Sequence, residues 1–378
     1  MPAVIKQRFK LPARLLPSGD RLVAVDVGSR CVKALALRRR KDHTEVRLLD
    51  AQPVAFASSR GDVTPTQITD ALATLLRRLN IKNVSVISIL QREFVSVKRF
   101  ELPSVVRAQI EQMVPFEAEK YVPFPLERAQ LGFASHPLTE GGLDAAPTAA
   151  PSSEQAKAAQ AAVDSLQAGE QRSLVHLAAV RQSVIPQFLK LYDVRGVKQH
   201  AIDVSTFALY NAFMYARQQQ PLDPLSGDVL LVEIGARSAE FVLVGAATGE
   251  LLFSRNAPVG GDTITEYIAA HDSISFEEAE KRKCERWQET CVGSRPQALH
   301  EALEPLLDEI EKTLRYVRKA KLSDHIGCLQ LSGGAAVTPG LTEACHTRCG
   351  TPADVFNPLG LFNAQTDRAP ASAFSAVM

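Results

Sequence analysis

Two short turns carry the residues that could do phosphate chemistry. The first, Asp26-Val27-Gly28-Ser29, ends one apolar run and leads through Arg30 into a second run over 31–37. Far along the chain, Glu233-Ile234-Gly235-Ala236 ends another apolar run and leads through Arg237 into 238–244. In both, the continuous apolar stretch suits a buried strand, a carboxylate closes it, and glycine lets backbone N–H groups point at an anion. A hydroxyl follows each turn, at Ser29 and Ser238. Carboxylate, turn and hydroxyl together are equipment for Mg²⁺ and phosphate. Either string alone reads as an ordinary hairpin. The pair predicts a nucleotide clamp built from two half-domains.

A third element strengthens that expectation. At 329–341 the chain reads Leu-Gln-Leu-Ser-Gly-Gly-Ala-Ala-Val-Thr-Pro-Gly-Leu, a short apolar strand running into Gly333-Gly334, with a helix beginning near Pro339 and Gly340. Such a strand-glycine-helix turn lets a flat ligand or a phosphate approach the main chain closely.

The order D-x-G-S-x-x-x-K, E-I-G, G-G-D and S-G-G-x-x-x-x-P-G resembles the superfamily of actin-like proteins, sugar kinases and heat-shock ATPases. Within it the chain is similar to the PilM family of type IV pilus assembly, relatives of the division protein FtsA. The more selective strings are Glu101-Leu102-Pro103, the stretch 117–126 with Tyr121-Val122-Pro123-Phe124-Pro125, the stretch 201–209, Val259-Gly260-Gly261-Asp262 and the charged run 276–283. The resemblance spans residues 22 to about 345. It implies an α/β protein with a two-lobed actin-like (ribonuclease H-like) fold and an inserted small α+β subdomain, and it implies ATP and Mg²⁺ as ligands.

Carried over residue by residue, Asp26 holds Mg²⁺ through water and Glu233 forms the opposing metal-side carboxylate. Gly28, Ser29 and Arg30 offer main-chain N–H groups and a hydroxyl to the phosphates, and Gly235 with Ser238 forms the second jaw. Gly260 and Gly261 approach the terminal phosphate. Glu280 and Lys283 lie at the ribose and adenine, or form an exposed ion pair one helical turn apart. Gly333, Gly334 and Gly340 wrap the adenosine. Lys33 matches the family lysine in spacing, or is a solvated strand-edge residue. Asp203 stands where related ATPases orient the attacking water, or else caps a helix starting at Val204.

Two departures weaken turnover. Glu233 replaces the usual Asp, which displaces its carboxylate by on the order of an ångström, and Ser238 replaces the usual Thr. ATP binding with slow or absent hydrolysis is the expectation. The family further implies a groove, over 94–133, for the cytoplasmic N-terminal peptide of the inner-membrane protein PilN. Phe116, Tyr121, Phe124 and Phe133 are candidate apolar anchors, or they pack the insertion onto the first lobe.

Composition fits an intracellular machine part. The 378 residues are 46% hydrophobic, ample for two lobes. The net charge of +1 argues against nucleic acid as a partner. Six cysteines have no pairing rhythm, and Cys345-His346 with Cys349 lacks the second half of a metal site, so buried thiols in a reducing compartment are expected. No run has the length of a membrane helix and no secretory signal is visible, which predicts a cytoplasmic protein. The basic residues from Lys6 to Lys41 either draw it to the inner-membrane face or solvate an arm and a hairpin edge.

Along the chain we expect a flexible basic tail over 1–18 and a first lobe from 19–90 plus 173–220, part of 173–200 belonging to the insertion. The inserted subdomain covers 91–172, with a flexible loop at 137–172, and the second lobe 226–362 is followed by a disordered tail, 363–378. Within these, helices are expected over 66–79, 103–120 with Pro103 at its start, 182–194, 261–270, 276–287 and 296–320, and one after 203. A small-molecule kinase, a filament scaffold of homo-oligomeric copies like FtsA, and a type II secretion platform component are the competing functions.

Overall fold

The computed structural model describes residues 22–39, 44–54, 64–79, 84–138, 172–219, 227–285 and 296–357. The predicted tails, most of the 137–172 loop and residues 286–287 of the helix expected over 276–287 lie outside these. So do all the basic residues from Lys6 to Arg21, with Arg40 and Lys41.

The run ending at Asp26 forms β1 (Leu22–Val27), which turns into β2 (Cys31–Arg39) and then β3 (Thr44–Pro53). Helix α1 (Pro65–Arg78) follows. Thr64 caps it, accepting from the Gln67 N–H while the Gln67 side chain accepts from the Thr64 N–H. Its buried stripe, Ala71, Leu72, Leu75 and Leu76, recurs at the helical period and faces the sheet. β4 (Val84–Leu90) pairs parallel with β1, and β8 (Val197–Val204) pairs parallel with β4, so the first sheet runs β3-β2-β1-β4-β8.

The second half repeats the plan. β9 (Asp228–Ile234), β10 (Ala239–Val244) and β11 (Leu251–Ala257) form a meander, and β12 (Ile326–Ser332) joins β9 in parallel. With β13 (Ala353–Val355) the order is β11-β10-β9-β12-β13, the same as in the first sheet. Helices α5 (Gly261–Asp272), α6 (Phe276–Glu285), α7 (Pro296–Lys319) and α8 (Leu341–Cys349) belong to this half.

Between the sheets lies α4 (Ser205–Gln219). Its Phe207, Leu209, Phe213 and Ala216 join a core that includes Val23, Val25 and Val86 of the first sheet and Val229, Leu231, Val242 and Val244 of the second. The alternate residues of β9, Leu230, Val232 and Ile234, enter a separate core beneath α5 and α7. β9 is therefore buried on both faces, the physical reason its sequence is a continuous apolar run.

The insertion is a three-stranded antiparallel sheet, β5 (Val95–Leu102), β7 (Arg172–Arg181) and β6 (Ala129–Leu138), in the order β5-β7-β6. It is covered by α2 (Arg107–Ala118), whose Ile110, Val114 and Ala118 pack on Phe100, Leu131, Phe133 and Leu177. Helix α2 starts four residues later than expected. Pro103 does not open it, because the Ser104 hydroxyl accepts the Val106 N–H and holds the approach as a turn. Helix α3 (Val184–Lys190) is also shorter than expected. Gln182 is tied back to the insertion, its N–H on the Arg128 carbonyl and its side chain on that of Ala129. The insertion also touches the second half directly: Arg99 bonds Glu250, and the buried His176 ring meets the Leu251 carbonyl at 3.1 Å. Burial pushes His176 down to about 4.

Candidate functional site

The two turns are built alike. Val27 pairs with Val32 and Ile234 with Ala239, leaving four residues in each loop. In the first, the Gly28 N–H donates to the Cys31 carbonyl at 3.0 Å, and in the second the Gly235 N–H donates to that of Ser238 at 2.9 Å. Both glycine N–H groups thus close their own turns and do not point at a ligand, which corrects the expectation for Gly28 and Gly235. Their value is steric: a Cβ would stand 3.2 Å from the Cys31 carbonyl oxygen and 3.1 Å from that of Ser238.

This equivalence extends to side chains. Asp26, Arg30 and Lys33 of the first half correspond in position to Glu233, Arg237 and Glu240 of the second. Asp26 and Lys33 are cross-strand partners, with the Lys33 Nζ 3.3 Å from Asp26 Oδ2. Lys33 is not a solvated edge residue. Burial works to lower its pKa, but Asp26 and Glu233 together hold it above the usual lysine range. The other Asp26 oxygen accepts from Gln91 Nε2 at 2.8 Å. Ile89 is the register partner of both Asp26 and Asp203, so these two carboxylates lie in one row across β1, β4 and β8, about 10 Å apart at the backbone. Asp203 accepts the Val204 N–H at 2.8 Å. Val204 still belongs to β8 and α4 begins at Ser205, so Asp203 closes a strand end and does not cap a helix at Val204. Burial raises Asp203 to about 6.

Across the cleft Glu233 pairs with Glu240 and with Ser332 in register. Burial raises Glu233 to about 7; Lys33 opposes that shift, while Glu240 and Asp26 add to it. Burial also raises Glu240, whose oxygens accept from the hydroxyls of Ser205, at 2.6 Å, and Thr206 at the start of α4. Glu240 thus fixes the interlobe helix to the second sheet. The Ser238 hydroxyl sits on the second turn, half-buried.

Helix α5 closes one side. Gly261 and Asp262 donate their N–H groups to the Gly235 and Ala236 carbonyls at 2.9 and 2.7 Å. The Gly261 amide is therefore engaged by the turn and not directed at a phosphate. The Asp262 carboxylate receives Arg30 through Nε at 3.2 Å and Nη2 at 2.7 Å, and Arg237 Nε lies 3.7 Å away. Arg30 also lies 4.9 Å over the Phe276 ring of α6. Glu280 and Lys283 form a half-buried pair, not an exposed one. Lys283 Nζ meets Glu280 at 2.6 Å, the Thr265 hydroxyl at 2.7 Å and the Gly261 carbonyl at 2.9 Å, which pins α6 to α5. Burial would raise Glu280, but Lys283 and Thr265 outweigh it and hold its carboxyl low. On the far wall Gly333 has φ +88°, and a Cβ there would stand 2.4 Å from the Ile234 carbonyl. Gly334 has open space where its Cβ would be, and Gly340 precedes α8 with φ +78°.

The four aromatic candidates separate. Phe133 is 3% exposed in the insertion core, with the Arg107 guanidinium 4.4 Å over its ring, so it is no partner anchor. Phe124 is half-buried against the same core beneath Arg181. Tyr121 stacks on Phe100 with one face outward, and Phe116 is 75% exposed. Of the described cysteines, Cys328 and Cys345 are buried and Cys284 is exposed, so the expectation of buried thiols holds only in part. No group of three or more potential metal ligands occurs among the described residues. Nor is any helix among them long and apolar enough to cross a membrane. A cavity of about 490 Å³ between α1 and residues 193–197 lies at the opposite end of the first sheet, beside the strand starts Val84 and Val197.

Two half-domains of identical strand order, with equivalent turns facing each other around one interlobe helix, define an actin-like fold. The family of type IV pilus assembly protein PilM matches residues 161–372, more than half of the sequence. The chain belongs to that family. A solved PilM-PilN type IV pilus biogenesis complex is similar over 95% of this chain and 94% of that one, at 21% identity and a TM-score of 0.70, a likeness of fold. Weaker likenesses are the ethanolamine utilization protein EutJ from Carboxydothermus hydrogenoformans (13% identity, 90% and 85% coverage, TM-score 0.46) and MreB 5 of Spiroplasma citri bound to AMPPNP (10%, 90% and 92%, 0.44). No curated protein matches the sequence.

Proposed function

We propose that the chain binds Mg·ATP between its two lobes, turns it over slowly or not at all, and uses the nucleotide-dependent surface of its insertion to hold the cytoplasmic N-terminal peptide of a PilN-like inner-membrane protein. It would work in the cytoplasm, peripheral to the membrane. The single observation behind the nucleotide reading is the pair of equivalent turns facing each other, with Lys33 between Asp26 and Glu233.

The donor set fits a nucleotide. The Lys33 ammonium and the Ser29 and Ser238 hydroxyls are available chemistry for phosphate oxygens, and Gly334 leaves a wall open for a flat ring. Asp26 and Glu233 suit a metal held through water, since the Asp26 oxygens already accept from Gln91 and Lys33. Bound Mg²⁺ would neutralise phosphate charge. Weak turnover follows from Asp203, the carboxylate in the water-orienting position, which is engaged by its neighbouring amide. For the peptide, Phe116 and the outward face of Tyr121 are exposed aromatic side chains on and just after α2, with Val106 exposed at its start.

Isothermal titration of the full chain with Mg·ATP, and of the ATP-loaded chain with a PilN N-terminal peptide, tests both parts. Binding of ATP that Lys33→Ala weakens, and of peptide that Phe116→Ala with Tyr121→Ala weakens, is expected. No heat at millimolar ATP would end the nucleotide reading, and peptide binding indifferent to both aromatic changes would end the groove reading.

A further inference from the structure

We propose that Asp262 is the clasp of the cleft, a carboxylate that holds the two turn arginines together and sets how readily the lobes part. Arg30 and Arg237 occupy equivalent positions of the two turns, and both converge on this one side chain. Arg30 reaches it from the first lobe with two nitrogens, in the forked geometry that makes arginine-carboxylate pairs strong. The contact is shielded: the Arg30 and Asp262 side chains are 14% and 11% exposed, and Phe276 covers the guanidinium. Charge pairs so placed are screened little by salt.

Asp262 is itself held rigidly. Its N–H is bound to the Ala236 carbonyl of the second turn, and it sits in the first turn of α5, where a carboxylate is favoured by the helix dipole. The pair therefore ties the first turn to the second lobe through a fixed point. Separating the lobes at this end breaks both Arg30 contacts, whereas Arg237 and Asp262 travel together in the second lobe. Arg30 is thus the moving half of the clasp and Arg237 a local support. Asp262 is a positioning residue. The consequence for nucleotide exchange rests on the cleft reading above; the clasp between the lobes does not.

Two measurements on the full chain test this. Hydrogen exchange without nucleotide, at residues 28–31 and 235–238, should quicken roughly tenfold in Asp262→Asn and in Arg30→Gln, and less in Arg237→Gln, with Asp262→Glu restoring part of the protection. A fluorescent ATP analogue should dissociate roughly tenfold faster from the first two variants while its association rate changes little. Wild-type exchange in both Asp262→Asn and Arg30→Gln overturns the clasp, whatever the nucleotide does. Failure of every variant and the wild type to bind the analogue counts against the cleft reading alone. Arg30→Gln leaves α5 and its backbone contacts intact, so it decides the question should Asp262→Asn fail to fold.

Discussion

Replacing Gly260 with alanine should push α5 away from the second turn, within the second lobe, without touching any charged group. The Gly260 backbone is extended, with φ −169°, so alanine meets no torsional penalty there. Its Cβ, however, would stand 2.6 Å from both the Gly235 and the Ala236 carbonyl oxygens. Those are main-chain atoms of the second turn, with no flexible side chain to yield. Reaching an ordinary carbon-oxygen separation of about 3.3 Å demands a shift of about 0.7 Å between α5 and the turn. That movement strains two hydrogen bonds, from the Gly261 N–H to the Gly235 carbonyl and from the Asp262 N–H to the Ala236 carbonyl. At about 0.5–1.5 kcal/mol each the loss is about 1–3 kcal/mol. Equilibrium urea denaturation of Gly260→Ala beside wild type reads this directly, and an Mg·ATP titration should show roughly tenfold weaker binding, because α5 carries Asp262 with it. Gly334→Ala is the control. Its Cβ enters open space, so stability should stay within about 0.5 kcal/mol of wild type while nucleotide affinity falls. A Gly260→Ala chain as stable as wild type would refute the close-approach reasoning.

The carboxylates predict a pH dependence. Glu233 holds its proton to about pH 7 when folded, against 4.5 in the unfolded chain, so between those values folding stability falls as pH rises and the contribution is gone above about 7. At about 1.4 kcal/mol per pH unit the span amounts to about 3 kcal/mol, and water reaching this half-buried group reduces it to about 1–3. Asp203 acts in the same sense but ends near pH 6, and His176, held neutral by burial, acts oppositely between about 4 and 6.5. Urea midpoints between about pH 5 and 7 should therefore fall less steeply in Glu233→Gln than in wild type; parallel curves there would contradict the assignment. Phe133→Ala should destabilise the chain by about 3–5 kcal/mol, whereas Phe116→Ala should change stability by less than about 0.5. Thermal melts showing the reverse order would mean that the insertion packs otherwise.

Much of this architecture was legible in the residues. The carboxylate-glycine turns, the meander-helix-strand order and the diglycine after β12 follow from local pattern, because turn chemistry and strand period are short-range properties. The side on which Lys33 lies was not legible, since it depends on antiparallel pairing that sets Lys33 opposite Asp26. Gln91 and Asp262 escaped for a stronger reason: each acts on a residue 65 or 232 positions away, and sequence spacing carries no such distance. The equivalence of Arg30 with Arg237 and of Lys33 with Glu240 was present in the spacing of the two turns, but the partners these side chains meet were not. Of the two roles open to Phe133, anchor or packing, alternation along its strand favours packing. With Ala129 and Leu131 it forms the inward row of β6, while Phe116 lies off the buried Ile110-Val114-Ala118 stripe of α2. The late start of α2 turns on Ser104, whose hydroxyl competes for the Val106 amide just ahead of the helix.

Hydrogen exchange of the full chain with and without Mg·AMPPNP examines the two-jaw cleft most directly. Protection should rise together at residues 28–31, 235–238 and 333–336 on adding the nucleotide, and should not rise around 193–197 beside the remote cavity. Protection confined to one turn, or absent from both, would contradict a nucleotide held between the lobes.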